Sequence, residues 1–260
     1  MIAALIRRDF VTARSYRTAF VMDTAFGFLN LLVYYFISQA IGPISSNLQG
    51  APSYFAFAAV GASMTLVIQA ATTGLARRIR EEQLTGTLEA LVGQPITSTE
   101  IALGIAGFPF MFAMVRAAAY ILFASTFLGL SLAGADWIGF AVVLFCSGAA
   151  LGAVGILLCA LVVMIKRGDS LIILTTFALG LLGGAVFPRL VLPDWVQKLT
   201  VIVPTRYSFD GVRNALFLGQ GWADDASGLL LATAILFPLG MAAFGFAIGF
   251  ARRRGTLGEY

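Results

Sequence analysis

The side chains that usually carry chemistry are scarce in this chain and poorly placed for it. There is no histidine, and the two cysteines, Cys146 and Cys159, lie on one apolar run. Their spacing matches no zinc or iron–sulfur motif. They read as small packing or lipid-facing residues, and no metal site is expected. With no base to pair with a thiol or hydroxyl, most acyl-transfer schemes disappear. A phosphate-binding loop needs a glycine-rich turn ending in lysine and a hydroxyl residue. The two lysines are Lys166, followed by Arg167, and Lys198, followed by Leu199. Neither follows such a turn. The chain is therefore not expected to be an enzyme by itself, and no cofactor is expected in it.

A different kind of work is written into residues 77–100, RRIREEQLTGTLEALVGQPITSTE. This is the long charged stretch between two apolar segments. Arg77, Arg78 and Arg80 suit a helix C-terminus, where the backbone dipole is negative. Gly86 permits a sharp change of backbone direction. Residues 86–92 then have helix-forming character, with Glu89 early and Leu88, Leu91 and Val92 on one face. Gly93 and Pro95 end that segment. Thr97 and Glu100 have the spacing of a capping box that restarts a helix. Seven residues cannot hold a helix in water alone. An ordered helix there needs something packed on Leu88 and Leu91, so the loop reads as a docking surface.

The elements that position this loop are membrane helices. The chain is 59% apolar and 12% charged, against about 25% charged in a soluble domain. Apolar runs near 19–41, 54–76, 101–132, 137–164, 170–187 and 229–250 predict an all-α membrane protein of six transmembrane helices in one domain, 1–260. The N-terminus lacks a short apolar core with a small-residue cleavage site, so the first helix is expected to remain. Most Lys and Arg residues fall in the tails and even-numbered loops. Arg189, Lys198, Arg206 and Arg213 are the odd-loop exceptions, and Arg116 lies inside a helix. This bias predicts both termini in the cytoplasm and a multi-pass location in the inner (plasma) membrane. It also accounts for the net charge of +4 without nucleic-acid binding, through contact with anionic lipid.

Residues 2–16 (1–17 with their flanks) predict an amphipathic helix lying in the interface. Ile2, Ile6, Phe10 and Ala13 share one face, and Arg7, Arg8 and Arg14 cluster away from it. Arg116 sits near mid-helix, where a charge costs about 2.5–3.5 kcal/mol on insertion scales. It must face protein or water, with Asn30 a partner at similar depth. A pathway residue touching an anionic part of a cargo and an interhelical anchor are both open readings. Tyr34 and Tyr35 are candidate pathway aromatics on the first helix. Gly148 and Gly152 permit close helix packing. The fifth run, 170–186, is too short at 1.5 Å per residue to cross roughly 30 Å of hydrocarbon. The segment 187–222 supplies two further short helices, one near Pro193 and Trp195, the other starting at Pro204 and carrying Tyr207. These are expected to dip into the outer leaflet and return.

The chain resembles the membrane subunits of ABC type-2 exporters. The resemblance rests on Glu82-x-x-x-Gly86-Thr87-Leu88-Glu89-x-Leu91-x-x-x-Pro95 and on Phe187-Pro188…Leu192-Pro193-x-Trp195…Pro204-x-x-Tyr207. It implies a coupling helix within 81–92, between helices 2 and 3, that enters a cleft on a separate ATP-binding subunit. Glu81, Glu82, Gly86, Thr87, Leu88, Glu89 and Leu91 are then the ATPase-coupling residues. The resemblance further implies two ATPase copies that bind ATP and Mg. It implies a second permease, identical or not, and closure of the outer side by the re-entrant segment. The form EEQLTGTLEALVGQP looks like the drug, antibiotic and lipid-like branch, which implies a hydrophobic or amphiphilic cargo. Alternatives are a polysaccharide or glycolipid exporter permease, an ABC-type sensor subunit, and a stand-alone channel. The last leaves the 81–95 loop with no role.

Overall fold

A computed structural model describes residues 2–15, 17–42, 48–87, 93–94, 97–164 and 169–254. The described residues are overwhelmingly helical, with no strand among them. In chain order the helices are α1 (Ile2–Ser15), α2 (Arg17–Ile41), α3 (Tyr54–Leu84), α4 (Ser98–Phe127), α5 (Trp137–Met164) and α6 (Asp169–Gly183). A 3₁₀ turn at Arg189–Val191 precedes α7 (Asp194–Thr200). Next come α8 (Pro204–Arg213), which runs on as a π turn at Asn214–Leu218, and α9 (Trp222–Arg254). The helices α3, α4, α5 and α9 are long and apolar enough to cross a membrane. The described apolar stretches of α2 and α6, Ala25–Ile41 and Ser170–Gly183, are shorter.

Local chemistry sets the helix starts. Ser53 caps α3, its hydroxyl accepting from the Ala56 amide at 3.1 Å. The capping box at the head of α4 is formed as expected. The Thr97 hydroxyl takes the Glu100 amide at 3.2 Å, and the Glu100 carboxylate takes the Thr97 amide at 2.9 Å. Pro204 occupies the first turn of α8, where its missing N–H costs nothing. Pro193 stands just ahead of α7 as its cap, not as its first residue. The helix α9 begins at Trp222, well before the apolar run starting near 229. Asp224 and Asp225 in its first turn suit the positive end of the dipole. The Trp222 indole also donates to Asp136 at 2.8 Å, tying this start to the head of α5.

The core lies where α3 crosses α5. Most of the apolar window of each is buried (72% in both), against 17% for α9. The first two are therefore the interior of the bundle, and α9 is a flank whose outer face, Leu231, Ile235 and Phe246 among others, is exposed. At the crossing α3 carries a π turn, Ala70–Gly74. A π turn holds one extra residue and swells the helix locally. Opposite the swelling, α5 presents Gly155, where a Cβ would overlap the Ala71 carbonyl. Next to it, the Thr72 hydroxyl meets that of Thr176 on α6 at 2.7 Å. At one end of the bundle α1 lies across α4 and the C-terminal turns of α3. At the other, residues 48–53, 128–136 and 184–221 gather, with the Asp136 amide donating to the Ala215 carbonyl at 2.8 Å.

The Gly155 contact yields a test of opposite signs. Gly155→Ala forces backbone apart and is expected to destabilise by about 1–3 kcal/mol. Gly245→Ala, on α9 with nothing within 4 Å of its new Cβ, removes a helix glycine and is expected to stabilise by roughly 0.5–1 kcal/mol. Thermal midpoints of the purified variants in one detergent check both directions.

Candidate functional site

Three polar constellations stand out against the apolar bundle. The first is where α1 meets the end of α3. Leu5 and Ile6 of α1 sit over Gly104 and Gly107 of α4, which have no side chains to hold them off. Phe10 meets Phe108 edge-on, centroids 6.2 Å apart. That seating brings Arg8 and Asp9 against the last turns of α3. The Arg8 guanidinium donates to Glu82 at 2.6 Å and to Asp9 at 3.1 Å. Arg78 donates to Asp9 from the other side and approaches Glu81 at 3.5 Å. Arg77 pairs with Glu81 at 3.1 Å on the exposed face. Asp9, Glu82 and Gln83 are buried. Burial alone lowers the Arg8 pKa. The hydrogen bond and charge of Glu82, with those of Asp9, outweigh burial and raise it above its ordinary value. Arg8 therefore stays charged at any physiological pH.

This network reaches into the loop that follows α3. Gly86 has φ of 71°, the left-handed region where a side chain is strained, so the chain reverses there as its sequence predicts. Just beyond it, the Thr87 hydroxyl donates back to the Glu82 carboxylate and meets the Thr85 hydroxyl at 2.8 Å. Glu81, Glu82, Thr85 and Thr87 line, with Arg8 and Arg78, a cleft of about 410 Å³. Leu88, Glu89 and Leu91, the other predicted coupling positions, lie outside the described residues. Asp9 was not singled out from sequence. Its one visible signal is that it is a lone acid among Arg7, Arg8 and Arg14.

The second constellation is a cavity of about 960 Å³ between α3, α4 and α6. Its polar lining is Thr65, Gln69, Thr73, Arg77, Arg116 and Thr176, set among phenylalanines and small residues. A smaller pocket of about 360 Å³ adjoins it through Thr65, Gln69 and Arg116 and extends to Asn30 and Tyr34 on α2. Arg116 and Asn30, paired by depth in the sequence, thus line one pocket. Arg116 lies 5.6 Å from the Phe112 ring and 6.0 Å from that of Tyr120, and it donates to the Tyr120 hydroxyl at 3.4 Å. Tyr35 is placed elsewhere. Its ring packs edge-on against Phe55 at 5.5 Å, within an apolar cluster.

The third is at the opposite end, around the segment 184–221. Pro188 caps the 3₁₀ turn, Trp195 on α7 is exposed, and the Tyr207 hydroxyl on α8 donates to the Val201 carbonyl at 3.0 Å. Beneath them lies Arg213, with no exposed surface. Its guanidinium donates to Gln49 at 2.8 Å and to the Gly184 carbonyl at 2.7 Å, and lies 3.7 Å from the centre of the Phe57 ring. Asp210 pairs with Arg189 one turn before it. Sequence reading counted Arg213 only as an outside charge. Its partners are far away in the chain and leave no local pattern.

Long apolar helices, with a charged platform at one end and short helices gathered at the other, define a multi-pass helical membrane protein. Residues 1–217 match the family model for the ABC-2 type transporter, and the chain belongs to that family. It is the membrane, transport-bearing part of an ABC transporter and not a catalytic ATPase. A comparison with curated proteins returned no match.

The platform generates a specific expectation. Asp9→Asn leaves Arg8 and Arg78 without their shared carboxylate and is expected to cost about 1–3 kcal/mol. That is less than a fully buried pair, because both arginines keep some solvent. A cycle of Arg8→Ala, Glu82→Ala and the double variant, followed by thermal unfolding, is expected to give a coupling of roughly 1 kcal/mol. Additive single effects would show that the two groups do not act together.

Proposed function

We propose that the chain is the permease subunit of an ATP-driven exporter, with six membrane spans, both termini in the cytoplasm and α1 lying in the inner interface of the plasma membrane. Residues 81–92 dock on a separate ATP-binding subunit, present in two copies and holding ATP and Mg. Two permeases, alike or different, form the route between them. The segment 187–222 dips into the outer leaflet and closes that side. The cargo is hydrophobic or amphiphilic.

The observation that carries this reading is the buried ion-pair platform. It ties α1, the end of α3 and the start of the 86–92 loop into one body through Asp9, Glu82 and Thr87. A loop that only connected two spans would have no use for buried carboxylates at its root. A partner that pushes on the loop would move α3 as a lever, because the loop cannot yield at that root. Nucleotide then acts by favouring one arrangement of the helices over another.

Mild-detergent purification of the tagged chain from its native membrane tests the class. The expected product is a two-plus-two assembly with a P-loop ATPase, and its intact mass distinguishes identical from different permeases. Recovery of the chain alone, under conditions that preserve a known ABC complex, would remove the permease reading. Within such an assembly, Glu89→Lys is expected to abolish cargo-stimulated ATP hydrolysis while leaving insertion intact. A cysteine placed at Trp195 is expected to react with an impermeant reagent from outside the cell. Labelling from the cytoplasm alone would invert the topology.

A further inference from the structure

We propose that the cavity between α3, α4 and α6 binds an apolar molecule carrying a neutral amide, and that Gln69 reads the amide by donating one hydrogen bond and accepting another. This deepens the permease reading and rests on it for the meaning of the cavity, though not for the binding itself.

Gln69 lies within the apolar run 54–76 of α3, about two turns, or roughly 12 Å, before Arg77. It lines both the cavity of about 960 Å³ and the adjoining pocket of about 360 Å³, so it stands where the two meet. Its side chain is exposed there and makes no hydrogen bond to the described residues. The other polar groups of the cavity wall are engaged. The Thr65 hydroxyl donates to the Gly61 carbonyl at 2.8 Å, and that of Thr176 to the Ile172 carbonyl at 2.7 Å. Thr73 meets Thr176 at 3.5 Å, Arg77 pairs with Glu81, and Arg116 donates to Tyr120.

A carboxamide among apolar groups is costly until its hydrogen bonds are made. The space beside Gln69 has the size of a small-molecule site, and its body is apolar, with Phe112, Phe177 and Phe187 among small residues. Gln69 also directly precedes the π turn Ala70–Gly74, of which Ala70, Thr73 and Gly74 line the same cavity. Such turns recur at functional sites. The glutamine amide presents N–H donors beside a carbonyl acceptor. A primary amide or a lactam answers both at once. A ketone answers only the donor, and a charged head loses hydration without being neutralised by Gln69. The chemistry that fits is therefore a neutral amide on an apolar body.

The test uses the full chain in nanodiscs of phosphatidylcholine, without ATPase. The probe is dodecanamide bearing a mid-chain diazirine, and the residues it labels on illumination are read by mass spectrometry. Labelling is expected on the cavity wall, at Phe177 and Phe187 among others. Plain dodecanamide is expected to suppress that labelling at roughly tenfold lower mole fraction in the bilayer than 2-tridecanone, which has the same shape and no N–H. Gln69→Met keeps the length of the side chain and removes both hydrogen-bonding groups. It is expected to bring the two competitors level, with the thermal midpoint and the 2-tridecanone value unchanged. Gly180 lines the cavity, and the nearest atom to a new Cβ there is the Ala185 methyl at 3.9 Å. Gly180→Leu is expected to weaken both competitors alike.

Equal suppression by the two competitors on the parent chain would overturn the proposal, as would a preference for the amide that survives Gln69→Met. A high-yield disulfide between two copies of Gln69→Cys would place a second protomer against this residue and overturn it too. Should Gln69→Met not insert, the competitor pair on the parent chain and Gly180→Leu still decide it. Co-purification of the ATPase is scored separately. Amide-selective labelling without any ATPase partner would sink the permease reading and leave the site standing, and an ATPase partner with no amide preference would do the reverse.

Discussion

A single continuous helix, Tyr54–Leu84, joins the two ends of this protein, and the other parts are fixed with respect to it. At 1.5 Å per residue it is a rod of about 46 Å. Inside hydrocarbon its backbone cannot exchange its hydrogen bonds for water, so it does not melt to accommodate a push. Near one tip Arg8 holds Glu82, and near the other Arg213 lies against Phe57. Each contact welds a different element to the rod: α1 at the first, and the segment after α6 together with α8 at the second. A displacement imposed at the loop after Leu84 is therefore delivered to the far end. It can also be taken up in one interior irregularity, the π turn at Ala70–Gly74.

That irregularity joins the rod to its neighbours. An extra residue in the turn pushes Ala71 against Gly155 of α5 and aims Thr72 at Thr176 of α6. Ala70, Thr73 and Gly74, from the same turn, line the cavity. Helix packing and cavity shape thus share five residues. A sideways slip of α3 across α5 meets backbone, not a flexible side chain, which favours discrete positions over gradual yielding. The rod meets α6 through a hydrogen bond between the Thr72 and Thr176 hydroxyls, and α5 through close backbone approach at Gly155.

The sequence disclosed whatever is encoded locally. Thr97 and Glu100 announce a capping box three residues apart, Gly86 announces a reversal, and Pro204 announces a helix start. Each is a contest between adjacent groups that tertiary packing does not overturn. The amphipathic pattern of 2–16 predicted α1 for the same reason. What escaped depends on partners distant in the chain. Asp9 is fixed by Arg78, Trp222 by Asp136, and Arg213 by Gln49 and Gly184. No periodicity marks such pairs, and charge counting misfiled Arg213 as a loop cation because a flank rule cannot see burial. The π turn escaped too. The sequence AATTG is compatible with an ordinary helix, and the glycine that faces its extra residue, Gly155, lies on another helix. Arg116 and Asn30 lie between these cases, since depth in the membrane is legible from position along an apolar run while facing direction is not.

The placement of charge follows one rule throughout. A cation inside the bundle is tolerated only where several groups share it. Arg213 shows the enclosed form: two carbonyl oxygens, a side-chain amide and an aromatic face surround it, and it has no exposed surface. Such a group holds structure, joining the segments that enclose it. Arg116 lies partly exposed on a cavity wall, steadied by aromatic rings and in reach of hydroxyl and amide groups. The same side chain is thus enclosed where the protein closes around it and lines a cavity where the bundle opens. Enclosure costs Arg213 its solvent and gains it partners from three separate segments, whereas Arg116 keeps its place beside a cavity.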